Sequence, residues 1–343
     1  MEKCQIYQTL TSTVDSMTQG FSAKQHLTRF FQSMTDNNFP KQVQVDTKIS
    51  DVDGAARWLS CQREKLLDML RQHGAVLLRE LPLSNALDFD ACVIALKLKN
   101  FTYKESLSNA VRINKTERVF TANEAPSEVE IFLHHEMAQT PNYPSKLVFF
   151  CEHPSDKGGS TPLCQSNHLL KRLQDNIPQL IDELESKGVQ YTNVMPASAD
   201  LASGQGRSWQ NTLGSTSKAS AETRLQQLNY TWEWLKDDNL KVTTPVLPAT
   251  RMIGDGRKVF FNQLIAAYRG WKDSRNKGSK KIQFGDGSAI SGELMDTVCE
   301  LAENITHDHF WEKGDLLLVD NFLVMHGRRP FVGTRKVLAS LAS

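Results

Sequence analysis

Nine histidines are spread through the 343 residues, and three segments hold them in company that suits chemistry. Phe132-Leu133-His134-His135-Glu136-Met137-Ala138 places a histidine and a carboxylate two residues apart. Thr306-His307-Asp308-His309-Phe310 repeats that spacing with two histidines. Val319-Asp320-Asn321-Phe322-Leu323-Val324-Met325-His326-Gly327-Arg328-Arg329 carries an apolar run onto a histidine and two arginines. On a strand, residues i and i+2 share a face, so His134 and Glu136 can reach one ion together. Two imidazoles and one carboxylate leave coordination positions open, which is the ligand set of non-haem Fe(II) oxygenases. His326 is the candidate third ligand. Nine histidines and 39 acids in a chain of this length give about one His-x-acid match by chance. The spacing alone therefore proves nothing, and its context decides.

Those side chains need rigid elements behind them. Asp53 is placed to cap a helix running to about residue 72, with Ala56, Leu59, Leu66, Leu67 and Leu70 on one side. Residues 74–79 read as a buried strand, and 87–96 as another helix. From Val119 onward strand signals dominate, beginning with the apolar run 146–151. Residues 166–187 have helical spacing and end at Gly188, with Pro178 predicting a break near Asn176. Strand-like pieces recur at 189–194, 240–246 and 258–261, a helix is expected over 291–304, and 316–320 and 336–341 close the chain as strands. Residues 198–220 and 271–288 are polar and read as long loops, candidate lids. Near-helical apolar spacing at Phe21, Leu27, Phe30, Phe31 and Met34 predicts a short amphipathic helix ahead of the main fold. The expected division is a helical extension over residues 1–40 and a single domain over 41–343.

With 40 basic and 39 acidic residues the net charge is +1, so no long-range field gathers nucleic acid or an anionic membrane. No segment approaches the ~18 apolar residues of a membrane span, and the opening MEKCQIYQTL lacks the apolar stretch of a secretory signal. The six cysteines are scattered without a C-x-x-C pair, as expected of small buried hydrophobes in a reducing compartment; a Cys151–Cys164 bridge is conceivable, but nothing argues for it. A cytoplasmic small-molecule enzyme, without nucleic-acid or membrane partners, is the expectation. Gly158-Gly159 precedes no Lys-Ser/Thr, so it is no phosphate loop, and no G-x-S-x-G elbow occurs.

Context then narrows the chemistry. Leu133 to Ala138, Gly158-Gly159-Ser160-Thr161-Pro162-Leu163, and Asp320-Asn321, His326-Gly327-Arg328, Pro330-Phe331 and Arg335 follow one another in order. Together they resemble the taurine dioxygenase superfamily of Fe(II)/2-oxoglutarate oxygenases, on the clavaminate synthase-like, amino-acid-hydroxylating branch. The resemblance covers roughly residues 74–342. It implies an α+β fold with a double-stranded β-helix (jelly-roll) core and flanking and inserted helices. It makes His134, Glu136 and His326 the iron ligands, and Glu136 stands where taurine dioxygenase itself has aspartate. Arg335 would grip the distal carboxylate of 2-oxoglutarate through paired, charge-assisted hydrogen bonds, with Thr161 on the same carboxylate. Relatives often place this arginine farther downstream, so Arg328 and Arg329 remain competitors. The competing reading of both is a surface salt bridge.

The implied reaction consumes 2-oxoglutarate and O2, releases succinate and CO2, and hydroxylates an aliphatic C–H bond. Related halogenases have a small residue in place of the carboxylate ligand, so Glu136 favours hydroxylation. Desaturation, cyclisation and epoxidation use the same ligands. The substrate is expected to be an amino acid, free or tethered to a carrier protein. Glu124 with Arg112 or Arg207 would meet a zwitterion, and Asn123, Trp209 and Asn262 lie in stretches near the expected cavity; ordinary loop hydrogen bonding competes for each. His135 should face away from the ligands as a structural or supporting group, and His307 and His309 are expected on the solvent side. Two other readings stand beside this one: a zinc hydrolase using the same three ligands, and a non-catalytic metal-binding protein on the same scaffold.

Overall fold

The computed structural model describes residues 39–102, 106–200, 202–203, 205–271, 275 and 281–343. The amphipathic segment expected ahead of the main fold lies outside the described residues. The chain begins with β1 (Lys41–Val43), α1 (Val52–His73), β2 (Ala75–Leu78), α2 (Ala86–Ala95), β3 (Phe120–Thr121) and β4 (Ile131–His134). It continues through β5 (Lys146–His153), β6 (Lys157–Gly158), β7 (Thr161–Gln165), α3 (Ser166–Asn176), α4 (Pro178–Lys187) and β8 (Val189–Met195). Next come α5 (Trp209–Leu213), α6 (Lys218–Gln227), β9 (Thr231–Trp234), β10 (Leu240–Thr243), β11 (Arg251–Met252), β12 (Lys258–Val259) and α7 (Leu264–Gly270). The last elements are β13 (Ile282–Phe284), α8 (Gly292–Glu303), β14 (His307–His309), β15 (Leu316–Asp320), β16 (Val324–Arg328), β17 (Phe331–Val332) and β18 (Lys336–Ala342).

Local chemistry explains most boundaries. Asp51, not Asp53, caps α1: its backbone is extended, and its side chain accepts from Gly54 N at 2.7 Å. Asp53 falls in the first turn, and Ala55 rather than Ala56 joins the buried stripe with Leu59, Leu66, Leu67 and Leu70. Gly74 ends α1 at φ 80°, a left-handed position that glycine takes without a Cβ penalty. The break between α3 and α4 falls at Ile177, with Pro178 as the first residue of α4. Two expected loops contain regular elements. Residues 198–220 contain α5 and the start of α6, whose few apolar side chains, Trp209, Leu213, Ala221 and Leu225, join a small core with β10. Within 271–288, β13 pairs with β8 through Ile282↔Tyr191 and Phe284↔Val189; three residues are too few to show an alternation.

The main sheet has six strands in the order β1-β2-β15-β5-β18-β3, and a second has four in the order β14-β7-β16-β4. Side-chain parity sorts the apolar runs into layers. Leu147, Phe149, Cys151, Leu317, Val319, Val337 and Ala339 pack with Leu163 and Val324 of the smaller sheet. Their neighbours Val148, Phe150, Leu316, Leu318 and Leu338 pack on the opposite face against α1 and α2. On the far side of the smaller sheet, Leu133, Cys164 and Met325 meet α3, α4, α7 and α8. The result is an α+β arrangement of two facing sheets sheathed by helices. Both faces of the main sheet are buried, which is why its strands read as unbroken apolar runs. Cys92, Cys151 and Cys164 are buried free thiols. Among the described residues no helix is long and apolar enough to cross a membrane.

Candidate active site

The same parity that sends Leu133 and Met325 into the helical layer aims their successors, His134 and His326, into the space between the sheets. His134 ends β4, and its Cα stands directly opposite that of His326 on β16. Glu136 is not on the strand: it sits two residues past β4 in a turn whose next residue, Met137, has φ 59°. The shared-face argument for i and i+2 therefore does not place it. Asn321 does. Its Oδ1 accepts from Glu136 N at 2.7 Å, and its Nδ2 donates to Glu136 O at 3.0 Å and to Pro144 O at 2.8 Å. Asn321 is 0% exposed, so this bracket ties the turn after β4 to the turn after β15. His135 faces away, as expected, with its ring nitrogens 2.5 Å from Asn321 O and 3.1 Å from Phe260 O.

His134 Nδ1 lies 2.8 Å from Phe132 O. A proton on that nitrogen donates to the carbonyl and leaves the Nε2 lone pair free, the usual way a metal-binding imidazole is oriented. Glu136 Oε2 is 3.9 Å from His134 Nε2 and 3.6 Å from His326 Nε2. One donor atom from each residue falls within a set no more than 4.8 Å across. Arg112 Nη2 approaches both oxygens of Glu136, at 3.0 and 2.9 Å. Burial by itself would raise the Glu136 carboxyl, but Arg112 and the two imidazoles outweigh it and hold the group well below the usual carboxylate range. Burial, then the neighbouring His326, pushes His134 down to about 4. A charged carboxylate and a His134 imidazole whose Nε2 lone pair is free fit a divalent metal ion, with His326 Nε2 beside them.

These groups border a cavity of about 410 Å³. Arg335 also borders it, donating from Nε to Gly159 O at 3.0 Å, with Nη2 at 3.5 Å from Thr161 Oγ1. Thr161 is held in turn by Trp311 Nε1 at 3.0 Å. Among the described residues no carboxylate pairs with Arg335. Burial, and next the positive charge of Arg328, make its proton harder to hold, so this wall calls for an anion. Arg328 and Arg329, the sequence-level competitors, are committed elsewhere. Arg328 donates to Asn123 O, Ala125 O, Pro126 O and Val129 O. Arg329 pairs with Asp308, Glu130 and Glu303.

The expected substrate residues divide. Arg112 and Asn123 line the cavity, but Arg112 pairs with Glu136 rather than Glu124. Glu124 is solvent-exposed and does not border the cavity. Arg207 is also absent from the lining; it clips loops together by donating to Ser106 O, Ser108 O and Asn211 O. Asn262 is 1% exposed and spends both ends of its amide on Ala249 O and Leu264 N. For Arg207 and Asn262 a backbone carbonyl or amide, invisible to sequence, outcompetes a ligand. His309 corrects the solvent-side expectation: it is 2% exposed, 3.4 Å from Asp315, with its ring edge-on to Trp311. Asn321 stood in the quoted motif without a role, and Trp311 carried no signal at all. Gln263, beside Asn262, lines the cavity and donates to His135 O at 2.9 Å.

The chain matches the taurine catabolism dioxygenase TauD, TfdA family over residues 37–341. It is 38% identical over 284 residues to a clavaminate synthase-like protein of Arabidopsis thaliana, covering 82% of this chain and 86% of that protein. The dapdiamide synthesis protein DdaC of Enterobacter agglomerans is 28% identical over 286 residues, covering 80% of this chain and 83% of that one. Among solved structures, an asparagine oxygenase in complex with Fe(II), 2S,3S-3-hydroxyasparagine and succinate superposes with a TM-score of 0.54 at 12% identity, covering 88% of this chain and 93% of that one. The non-haem iron oxygenase OrfP, in complex with Fe, succinate and (3S)-hydroxy-L-Arg, gives 0.51 at 13% identity, covering 94% and 91%. At such identities these two superpositions speak to the fold.

Proposed function

The chain belongs to the TauD, TfdA family of dioxygenases, and from that premise we propose that it hydroxylates an aliphatic C–H bond of an amino acid or amino-acid-derived small molecule. It is an Fe(II)- and 2-oxoglutarate-dependent oxygenase that uses O2. The two facing sheets form its jelly-roll core. His134, Glu136 and His326 hold the iron, and Arg335 with Thr161 takes the distal carboxylate of 2-oxoglutarate. When bound, the iron couples oxidative decarboxylation of 2-oxoglutarate to succinate and CO2 with oxygen insertion into the substrate. The chain's own residues do the positioning. Asn321 holds the backbone of Glu136, the Phe132 carbonyl fixes the His134 ring, and Arg112 keeps the Glu136 carboxylate ionised. Trp311 orients the Thr161 hydroxyl beside Arg335. Glu136 occupies the position a halide would need, which favours hydroxylation.

One observation supports this reading above others: a single cavity contains three convergent metal-donor atoms and a guanidinium with no acidic partner among the described residues. A zinc hydrolase would give Arg335 and Thr161 nothing to do. A net charge near zero gathers neither nucleic acid nor an anionic membrane, and the substrate we have in view is a small molecule in the cytoplasm, free or carrier-tethered. Succinate release from 2-oxoglutarate, with Fe(II) and air, against a panel of free and carrier-bound amino acids tests the proposal. Stimulation by an amino acid, lost in Glu136→Ala, supports it. Failure to bind Fe(II) and 2-oxoglutarate, or undiminished turnover in Glu136→Ala, overturns it.

A further inference from the structure

Three aromatic rings stand behind the turn that carries Glu136, each beside a group that holds it. Tyr143 precedes Pro144, whose carbonyl accepts from Asn321, and Phe322 follows Asn321. Phe261 is tilted 44° against the His135 ring, with centroids 4.8 Å apart. The rings also pack on one another, with centroids 4.9 Å apart for Tyr143 and Phe261, 5.4 Å for Phe261 and Phe322, and 6.1 Å for Tyr143 and Phe322. The Arg251 guanidinium closes this cluster. Its Cζ lies 4.4 Å from the Phe322 centroid, 5.5 Å from that of Tyr143 and 5.8 Å from that of Phe261. Its Nη1 donates to Tyr143 Oη at 2.5 Å. Among the described residues no carboxylate pairs with Arg251, so a half-buried charge rests on three rings and one hydroxyl. Arg251 does not border the cavity. It opens β11, opposite Val259 of β12. At the other end of that hairpin, Arg257 pairs with Asp255 and donates to Arg71 O and Gln72 O at the end of α1.

We infer that Arg251 is a positioning residue for the metal centre: its guanidinium, capping the rings of Tyr143, Phe261 and Phe322, fixes the segments that place Glu136. This deepens the reading of His134, Glu136 and His326 as metal ligands and rests on it. The three rings come from distant parts of the chain, so one cation ties three segments together. Rings packed only on one another can slide. A cation over their faces is attracted by each ring, more strongly as water is excluded, and the hydrogen bond to Tyr143 Oη sets the plane of the guanidinium. Asn321 grips the backbone of Glu136 directly, while Arg251 holds the residues on either side of that grip, Tyr143 before Pro144 and Phe322 after Asn321. The third ring, Phe261, adjoins Asn262, whose carbonyl accepts from His135 N at 3.5 Å. Were packing the whole of its role, an unbranched apolar side chain of similar length would serve as well.

The test is Co(II) titration of the full-length, metal-free protein, followed by visible absorption and paired with urea unfolding. Arg251→Met keeps a stem and removes the charge; it should bind Co(II) about 10-fold more weakly, the low end for outer partners of metal ligands, with an altered absorption band. Arg251→Lys returns a cation to the rings and should recover about threefold of that loss. Arg257→Gln cuts the hairpin from α1 instead; it should lower the urea midpoint and hold Co(II) within about threefold of the parent. The contrast separates positioning from stability, because a side chain that only stabilises the fold leaves the affinity of the folded protein unchanged. Tyr143→Phe keeps its ring and loses the acceptor, and its expected loss of about threefold carries the same reading should Arg251→Met fold poorly. Parent-like affinity and spectrum in Arg251→Met or, in its place, Tyr143→Phe would overturn the inference. So would an equal loss in Arg257→Gln, or no recovery in Arg251→Lys. Co(II) binding undiminished in Glu136→Ala would remove the metal-site reading and this inference with it, whereas a loss there beside a parent-like Arg251→Met sinks this inference alone.

Discussion

Asn321→Ala is the most revealing single change, because it touches neither substrate nor metal directly. It removes hydrogen bonds of 2.7, 3.0 and 2.8 Å from a side chain that is 0% exposed. Two of the three backbone groups left behind belong to Glu136, and the third is the carbonyl of Pro144. Each lost bond is worth about 1 kcal/mol net, and a buried group left without a partner costs up to ~3. The expected loss of stability is about 3–5 kcal/mol, against the ~5–15 kcal/mol that an ordinary domain has in total. Outer partners of metal ligands typically change metal affinity by about 10- to 100-fold, so weaker metal binding should accompany the loss. Urea unfolding of the metal-free protein measures the first effect, and titration with Co(II) followed by its visible absorption measures the second. Asn321→Asp is the matched control: it keeps an acceptor for Glu136 N–H but turns an oxygen toward two carbonyls, and should fare no better. Should Asn321→Ala lose less than about 1 kcal/mol and hold Co(II) within threefold of the parent, the claim that this side chain sets the Glu136 position is wrong.

Three further outcomes follow from the geometry. Arg335→Gln should raise the KM for 2-oxoglutarate about 100-fold, since it replaces charge-assisted bonds with neutral ones, and Arg335→Lys should recover only part of the loss; an unchanged KM would place the cosubstrate elsewhere. Gly327→Ala would put a Cβ 2.3 Å from Ile131 O, forcing β16 away from β4. About 1–3 kcal/mol of stability should go, along with metal affinity, and a thermal unfolding midpoint matching the parent would contradict the pairing. Burial holds His309 below its ordinary 6.5 although Asp315 pulls the other way. Its contribution to stability is complete above pH 6.5 and declines as pH falls toward the folded value, by about 1.4 kcal/mol per pH unit. Urea midpoints measured from pH 7 to 5 should fall less in His309→Asn than in the parent; parallel curves would dismiss the effect.

Elements with long, one-sided patterns were legible in the sequence. The α3–α4 break followed from Pro178, and the strands β5 and β15 followed from apolar runs that no loop could bury. The pieces that escaped are those whose order comes from distant partners. β13 exists because β8 offers it a ladder, and α5 exists because Trp209 and Leu213 find a small core beneath them. The helix cap moved from Asp53 to Asp51 because side-chain reach, and not residue type, decides which of two nearby aspartates closes the first turn.

The site divides along the same line. Residue type and order determined that two histidines, one glutamate, one arginine and one threonine were the groups to watch, because few side chains bind metal or grip a carboxylate. Strand parity is a local property, so His134 faces opposite to Leu133 and His326 opposite to Met325, but the two imidazoles meet only because β4 pairs with β16. Tertiary structure decided the rest. Glu136 reaches the pair through a turn that Asn321 holds, Arg112 turns to Glu136 instead of outward, and Arg207, Asn262 and Glu124 stay away from the cavity. The physical reason is that a buried polar group takes whichever partner the folded backbone brings nearest. Which carbonyl, amide or carboxylate arrives there is settled by how the strands and turns pack, as when Asn321 reaches Glu136 from the other end of the domain, and no local pattern records it.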